Sequence, residues 1–183
     1  MSALIAASSM RPSAWRARGL VPRLLIIAIL AGRAMPAHAQ EKFKPFKLET
    51  LDGKKVTLAD YANKATLVSF FFPSCPYCNA SIPHVEKIHE KYRDQGLTVV
   101  WVNVVPYEAR KIPKWVKDHQ VTIPILKGAS QASLQRDYKL KMTPTHYLID
   151  KDANILFTTA GYEQGSEKEL EEKVRAALGL PPL

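Results

Sequence analysis

Two cysteines constrain this chain more than any other residues, because they are its only thiols and stand three positions apart. Cys75 and Cys78 lie where a nearly all-apolar run, residues 65–72, meets a helical pattern. Positions i and i+3 share one face of a helix. The two Cα atoms would then lie about 5–5.5 Å apart, within the range of about 4.4–6.8 Å that a disulfide requires. Pro76 suits the first helical turn, where free N–H groups and the helix dipole stabilise a thiolate.

This arrangement predicts a redox-active dithiol, in which Cys75 is the nucleophile and Cys78 resolves the mixed disulfide. The alternative is a static structural disulfide. A C-x-x-C loop is so short that closing it constrains the unfolded chain only weakly. The pair therefore favours exchange chemistry over cross-linking.

The first 39 residues have the composition of a secretory signal peptide. They carry five arginines and no acidic residue, followed by the short apolar run 24–31 and the small-x-small sequence Ala37-His38-Ala39. This order is typical of a leader that is cleaved, and we expect cleavage after Ala39. An uncleaved anchor is the alternative, and translation from Met10 would shorten the leader. The sequence thus predicts a signal peptide over 1–39, one domain over 40–183, and a periplasmic or secreted location.

Removal of this leader would change the charge balance and the classes of partner that it favours. The whole chain has a net charge of +9, whereas loss of the five leader arginines leaves 21 basic against 17 acidic residues, a net charge of +4. The sequence contains no basic run interleaved with aromatic residues, the pattern that would indicate a nucleic-acid partner. In an oxidising compartment a lone dithiol drifts to the disulfide unless a partner reduces it. We therefore expect protein thiols or disulfides as substrates and a membrane thiol-redox protein as the recycling partner.

Hydrophobic patterning predicts an α/β domain. The apolar runs 65–72 and 97–105 indicate buried strands on either side of the cysteine helix, so they should be parallel with a right-handed crossover. An N-terminal hairpin turns at Asp52-Gly53. The other expected elements are a helical turn at 58–61, helices at 109–119 and 130–138, an edge strand at 123–126 containing Pro124, antiparallel strands at 147–149 and 155–159, and a last helix that starts with a Ser166/Glu169 capping box and stops at Gly179.

Four segments in this order resemble the thioredoxin superfamily, and in particular its exported redoxins of the TlpA and ResA type. They are the hairpin 51–58, Cys75-Pro76-Tyr77-Cys78, the helix proline Pro83, and the segment 142–150 around Thr143-Pro144. The resemblance implies a thioredoxin fold, with a central mixed sheet flanked by helices and an N-terminal β-hairpin. It also implies an extra strand-helix insertion, which residues 106–128 can supply.

The resemblance also implies roles for residues around the thiols. The Thr143–Pro144 peptide bond would be cis and lie against Cys75, and Thr143 would present its backbone to an extended substrate chain. The Thr143 side chain would either contact the sulfur or simply pack. Pro76 and Tyr77, between the cysteines, would border the substrate. The implied activity is thiol-disulfide oxidoreduction, most readily reduction or isomerisation, with no metal and no cofactor besides the Cys75–Cys78 disulfide.

Three serines depart from the family pattern. Ser69, Ser74 and Ser81 stand where relatives commonly have a buried carboxylate, a tryptophan and a glutamate. They leave the direction of electron flow open, and the oligomeric state is equally open. Two other functions remain as alternatives. A copper-binding or copper-delivery module would use both cysteines with His146, although strand alternation should turn His146 away from the site or toward solvent. A thiol peroxidase would need an arginine near Cys75, for which neither Arg93 nor Arg110 has an evident place.

Overall fold

A computed structural model describes residues 40–183, and the predicted signal peptide lies outside the described residues. Within that range the chain forms seven strands and four α-helices. They are β1 (Lys47–Thr50), β2 (Lys55–Thr57), β3 (Ala65–Phe71), α1 (Pro76–Tyr92), β4 (Leu97–Asn103), α2 (Ile112–His119), β5 (Ile125–Lys127), α3 (Gln131–Asp137), β6 (Thr145–Asp150), β7 (Ile155–Ala160) and α4 (Ser166–Leu178). None of the helices in this range is both long enough and apolar enough to cross a bilayer.

The strands form one mixed sheet in the order β2-β1-β5-β4-β3-β6-β7. The three middle strands β5, β4 and β3 run parallel, and all other neighbours are antiparallel. Strands β3 and β4 pair in the expected parallel orientation, with Val68 opposite Val100, and α1 connects them. The predicted mixed sheet and the βαβ unit around the cysteines are confirmed.

Strand β3 is buried along its whole length because both faces of the sheet are covered. Phe71 points to the face packed by α1, α2 and α4, in a cluster with Trp101 and Val174. Phe70 points to the other face, in a cluster with Tyr138 and other aromatic rings. Burial on both sides explains why this strand reads as a continuous apolar run rather than an alternating one. Cys75 follows at the C-terminal end of this inner strand.

The expectation of an edge strand around Pro124 is wrong. Strand β5 begins at Ile125 and lies between β4 and β1, with Glu49 opposite Lys127. Pro124 itself stands just before the strand and contributes only its carbonyl oxygen, which accepts the Trp101 N–H at 2.9 Å. A proline at this position removes no ladder donor, so the N-terminal hairpin can pair with the outer side of β5.

Two helix starts also differ from expectation. The helix predicted from residue 109 begins as a tight 3₁₀ segment over Pro106–Lys111 and becomes α-helical only from Ile112. The expected Ser166/Glu169 capping box is wrong, because Gly165 is the N-cap of α4 and no side chain caps it. The Ser166 hydroxyl instead donates to the Glu163 carbonyl at 2.6 Å.

Candidate active site

The two cysteines meet at the junction of β3 and α1. They form a disulfide with a Cα–Cα distance of 5.2 Å. Cys75 is the N-cap of α1, and its Sγ accepts the Cys78 N–H at 3.1 Å. Pro76 occupies the first turn, where its missing N–H costs no helical hydrogen bond. One sulfur thus receives a backbone donor at a helix N-terminus, which is the arrangement that favours a thiolate once the disulfide is reduced.

The segment before β6 lies against Cys75. The Thr143–Pro144 peptide bond is cis, as the resemblance implied. The Thr143 hydroxyl donates to Cys75 Sγ at 3.4 Å, and the Thr143 carbonyl oxygen lies 3.6 Å from the same sulfur. Of the two roles left open for the Thr143 side chain, the structure therefore shows contact with the sulfur.

The rim of this site is open and partly apolar. Tyr77 is 61% exposed and Met142 is 54% exposed. Both line a groove with a volume of about 570 Å³ that runs past Thr143 toward Tyr162 at the β7–α4 connection. The groove offers room for an extended chain next to the disulfide.

A buried carboxylate that the sequence did not mark holds the residue before Cys75. Glu108 is only 6% exposed, and its Oε2 accepts the Ser74 backbone N–H at 3.0 Å. Lys111 donates to Glu108 Oε1 at 3.2 Å and to the Ser74 hydroxyl at 2.7 Å. A single acidic residue in the connection after β4 has no sequence signature, and only the packing of the Pro106–Lys111 segment reveals its role.

A second contact connects α2 to the same loop through Asn79 of α1. Trp115 Nε1 donates to Asn79 Oδ1 at 2.7 Å, and Asn79 Nδ2 lies 3.4 Å from the Pro73 carbonyl oxygen. The Trp115 ring also packs on Phe71, with centroids 4.6 Å apart. The segment that follows β4 thus contacts Ser74 directly and Pro73 through Asn79.

Beneath α1, the sheet carries a buried polar pair. Ser69 Oγ and His146 Nδ1 are 2.8 Å apart, and His146 is only 3% exposed. Burial lowers the pKa of His146 to about 4, so the imidazole is neutral at neutral pH. Of the two orientations expected for His146, the one toward solvent is wrong. The ring lies on the same face of the sheet as Ser69 and lines a cavity of about 20 Å³ together with Ser81.

The copper alternative required His146 to join both cysteines. In residues 40–183 no three His, Cys, Asp or Glu side chains are grouped so that they could hold a metal ion. The imidazole contacts Ser69 and the Trp101 ring instead, the latter with centroids 5.9 Å apart. The structure therefore does not bring this expected ligand set together.

Comparison with known proteins identifies the family. Residues 38–174 match the redoxin family model. The chain belongs to the redoxin family. Among curated relatives of this redoxin, the thiol-disulfide oxidoreductase ResA of Halalkalibacterium halodurans is 28% identical over 142 residues, which cover 76% of this chain and 78% of the relative. The thioredoxin-like protein YneN of Bacillus subtilis is 30% identical over 131 residues, covering 70% and 74%.

Solved structures agree with this assignment. A Chlorobium tepidum protein assigned as the thiol:disulfide interchange protein DsbE superposes with a TM-score of 0.70 at 26% identity, over 76% of this chain and 97% of that one. The predicted thioredoxin fold is confirmed. Family, fold and the paired cysteines together make this redoxin a thiol-disulfide oxidoreductase, as the sequence predicted.

Proposed function

We propose that this redoxin reduces or isomerises disulfides of extracytoplasmic proteins by dithiol-disulfide exchange at Cys75 and Cys78. The observation that carries the exchange chemistry is the placement of Cys75 Sγ, which receives the Cys78 N–H and the Thr143 hydroxyl at the start of α1. The direction of exchange rests instead on the resemblance to exported redoxins. Donors aimed at one sulfur stabilise its thiolate, and the thiolate is the species that attacks a disulfide.

The exchange has two steps in the reducing direction. The Cys75 thiolate attacks one sulfur of a substrate disulfide, which forms a mixed disulfide and releases the other substrate sulfur as a thiolate. Cys78, having lost its proton, then attacks Cys75 Sγ. That step forms the Cys75–Cys78 disulfide and frees the second substrate thiol, so two electrons pass to the substrate. Isomerisation uses the first step and its reversal by a different substrate thiol.

The groove beside the disulfide is the proposed docking place of the substrate chain. Thr143 would offer its backbone for strand addition, with Pro144 behind it and Pro76 and Tyr77 on the opposite rim. Tyr77 and Met142 expose apolar surface at this edge, which suits an unfolded or extended protein segment better than a small polar molecule.

Export and a recycling partner complete the proposal. The leader composition supports cleavage after Ala39 and a periplasmic or secreted location. In such a compartment a membrane thiol-redox protein would return the disulfide to the dithiol after each turnover. No cofactor or metal takes part in the proposed exchange.

An insulin-reduction assay with dithiothreitol as electron donor tests the activity. Wild-type protein should accelerate precipitation of the insulin B chain, and Cys75→Ser should return the rate to background. Equal rates for the two proteins would refute the proposal. Equilibration against a glutathione series then gives the direction: a reduction potential of about −270 mV indicates a reductase, and one of about −120 mV an oxidase.

A further inference from the structure

The residue before the nucleophile is held by a pair of opposite charges from outside the cysteine helix. The Glu108 carboxylate accepts the Ser74 N–H through one oxygen and the Lys111 ammonium through the other. Lys111 also donates to the Ser74 hydroxyl. The backbone and the side chain of Ser74 are thus both occupied by this pair. We call Glu108 and Lys111 the clasp.

The clasp is charged although one of its members is buried. Burial raises the pKa of Glu108, but the hydrogen bonds from Ser74 and Lys111 and the Lys111 charge outweigh it, so the pKa lies below its ordinary value. The Glu108 side chain is 8% exposed, whereas that of Lys111 is 47% exposed. A buried carboxylate that lost its cation would be left poorly compensated. The charge of Glu108 is therefore stabilised by Lys111, and both side chains hold their hydrogen bonds only while Ser74 stays in place.

Other charged groups also border this loop. Lys114 and Asp118 form their own ion pair at 2.6 Å on α2. Together with Arg110, His119 and Lys111 itself they border the shallow depression that Pro73 and Asn79 form. On the opposite side the group that meets Cys75 is the uncharged Thr143 hydroxyl. The clasp is therefore the charged pair in direct contact with the residue that precedes the reactive sulfur.

We propose that Glu108 and Lys111 are positioning residues that hold Ser74 and tune the ionisation of Cys75 in opposite directions. Lys111 favours the thiolate by Coulomb attraction, and Glu108 opposes it. Because they are paired, their effects nearly cancel in the wild type while the hydrogen bonds to Ser74 remain. The proposal rests on the proposed role of Cys75 as the nucleophile. Stabilising the thiolate stabilises the reduced protein and makes the disulfide a stronger oxidant, so removing either charge of the clasp would also shift the reduction potential.

The test compares charge-removing variants of each member in a Cys78→Ser background, where Cys75 is the single thiol. Its ionisation is followed by thiolate absorbance at 240 nm and by the rate of iodoacetamide alkylation. Glu108→Gln keeps a carbonyl for the Ser74 N–H and leaves Lys111 uncompensated, so the ionisation constant should rise about three- to tenfold. Lys111→Met should lower it by a similar factor. The double variant should return to within about twofold of the wild type, and Lys111→Arg should retain the wild-type value.

Opposite signs distinguish tuning from a merely structural role. If both single variants shift the ionisation in the same direction, or neither shifts it, the proposal is overturned. Lys114→Met removes an equally charged side chain three residues further along, on α2, and should leave the ionisation unchanged. The ionisation of Cys75 is measured without any substrate. If the wild type fails to reduce insulin, the proposed function is refuted, but the effect of the clasp on the ionisation of Cys75 is still tested.

Discussion

The Ser69 hydroxyl and the His146 imidazole lie 2.8 Å apart beneath the helix that carries the cysteines. Both residues come from neighbouring strands, where Ser69 stands directly opposite His146 in the antiparallel register of β3 and β6. A serine and a neutral histidine thus satisfy each other where two apolar side chains would ordinarily pack. Because the imidazole is buried without a charged partner, its protonation is coupled to unfolding.

The first prediction is an acid-sensitive stability that depends on His146. Its pKa falls from 6.5 in the unfolded chain to about 4 in the fold because of burial, so between these values the unfolded state binds more protons. Stability from this group is fully present above pH 6.5 and is lost as the pH falls toward 4, by up to about 3 kcal/mol. Urea titrations across that range should show this dependence of the free energy of unfolding on pH in the wild type and a weaker dependence in His146→Leu.

Leu148→Val serves as the matched control for that experiment. Leu148 is fully buried on the same strand and face, but it carries no titrating group. The Leu148→Val substitution should lower the free energy of unfolding by about 1 kcal/mol at every pH. The dependence of that free energy on pH should stay as in the wild type. If the free energy of unfolding depends on pH as strongly in His146→Leu as in the wild type, His146 is not the source of the acid sensitivity.

The second prediction concerns the two thiols. In Cys78→Ser the mixed disulfide between Cys75 and a substrate should persist, because the resolving thiol is gone. The reduced variant incubated with insulin should give a covalent adduct in mass spectrometry under non-reducing conditions, which dithiothreitol releases. Cys75→Ser should give none, because Cys78 is 0% exposed behind it. Adduct formation through Cys78 would reverse the assigned roles.

The third prediction isolates the Thr143 hydroxyl. Thr143→Val keeps the shape of the side chain and removes the donor that lies 3.4 Å from Cys75 Sγ. The thiolate of the reduced protein should become less favoured, with about a three- to tenfold slower alkylation of Cys75 at a fixed pH below its titration midpoint. Thr143→Ser retains the hydroxyl and should alkylate at nearly the wild-type rate. Equal slowing in both variants would point to packing instead of hydrogen bonding.

The fourth prediction concerns the N-terminal segment. Phe43 is 2% exposed and stacks on Tyr138 with centroids 4.9 Å apart, and its N–H donates to the Ala153 carbonyl at 2.8 Å. Phe43→Ala should therefore lower the free energy of unfolding by about 3–5 kcal/mol. Lys42→Ala, one residue earlier and exposed, should change it by less than about 0.5 kcal/mol. Chemical denaturation measures both free energies of unfolding. Similar losses in the two variants would show that the Phe43 ring does not anchor the N-terminal segment to the domain.

Local patterning predicted most elements, but it failed where a distant partner decides the outcome. The apolar run of β3 and the paired cysteines at the start of α1 are both visible within residues 65–78. Pro124 suggested an edge, yet the hairpin strand β1 covers β5 from a point far earlier in the chain. For His146, alternation gave two possible faces, and only pairing of β6 with β3 put the ring on Ser69.

The sequence by itself determined the chemistry: two thiols three residues apart at a strand-to-helix junction, with a proline in the first helical turn. Only the tertiary structure decided which polar groups meet those thiols. Glu108 reaches Ser74 across 34 positions, and Thr143 reaches Cys75 across 68. Helix and strand periods arise from steric and hydrogen-bonding rules within a few residues. Contacts between distant segments depend instead on strand order and on burial of both sheet faces, which no local pattern encodes.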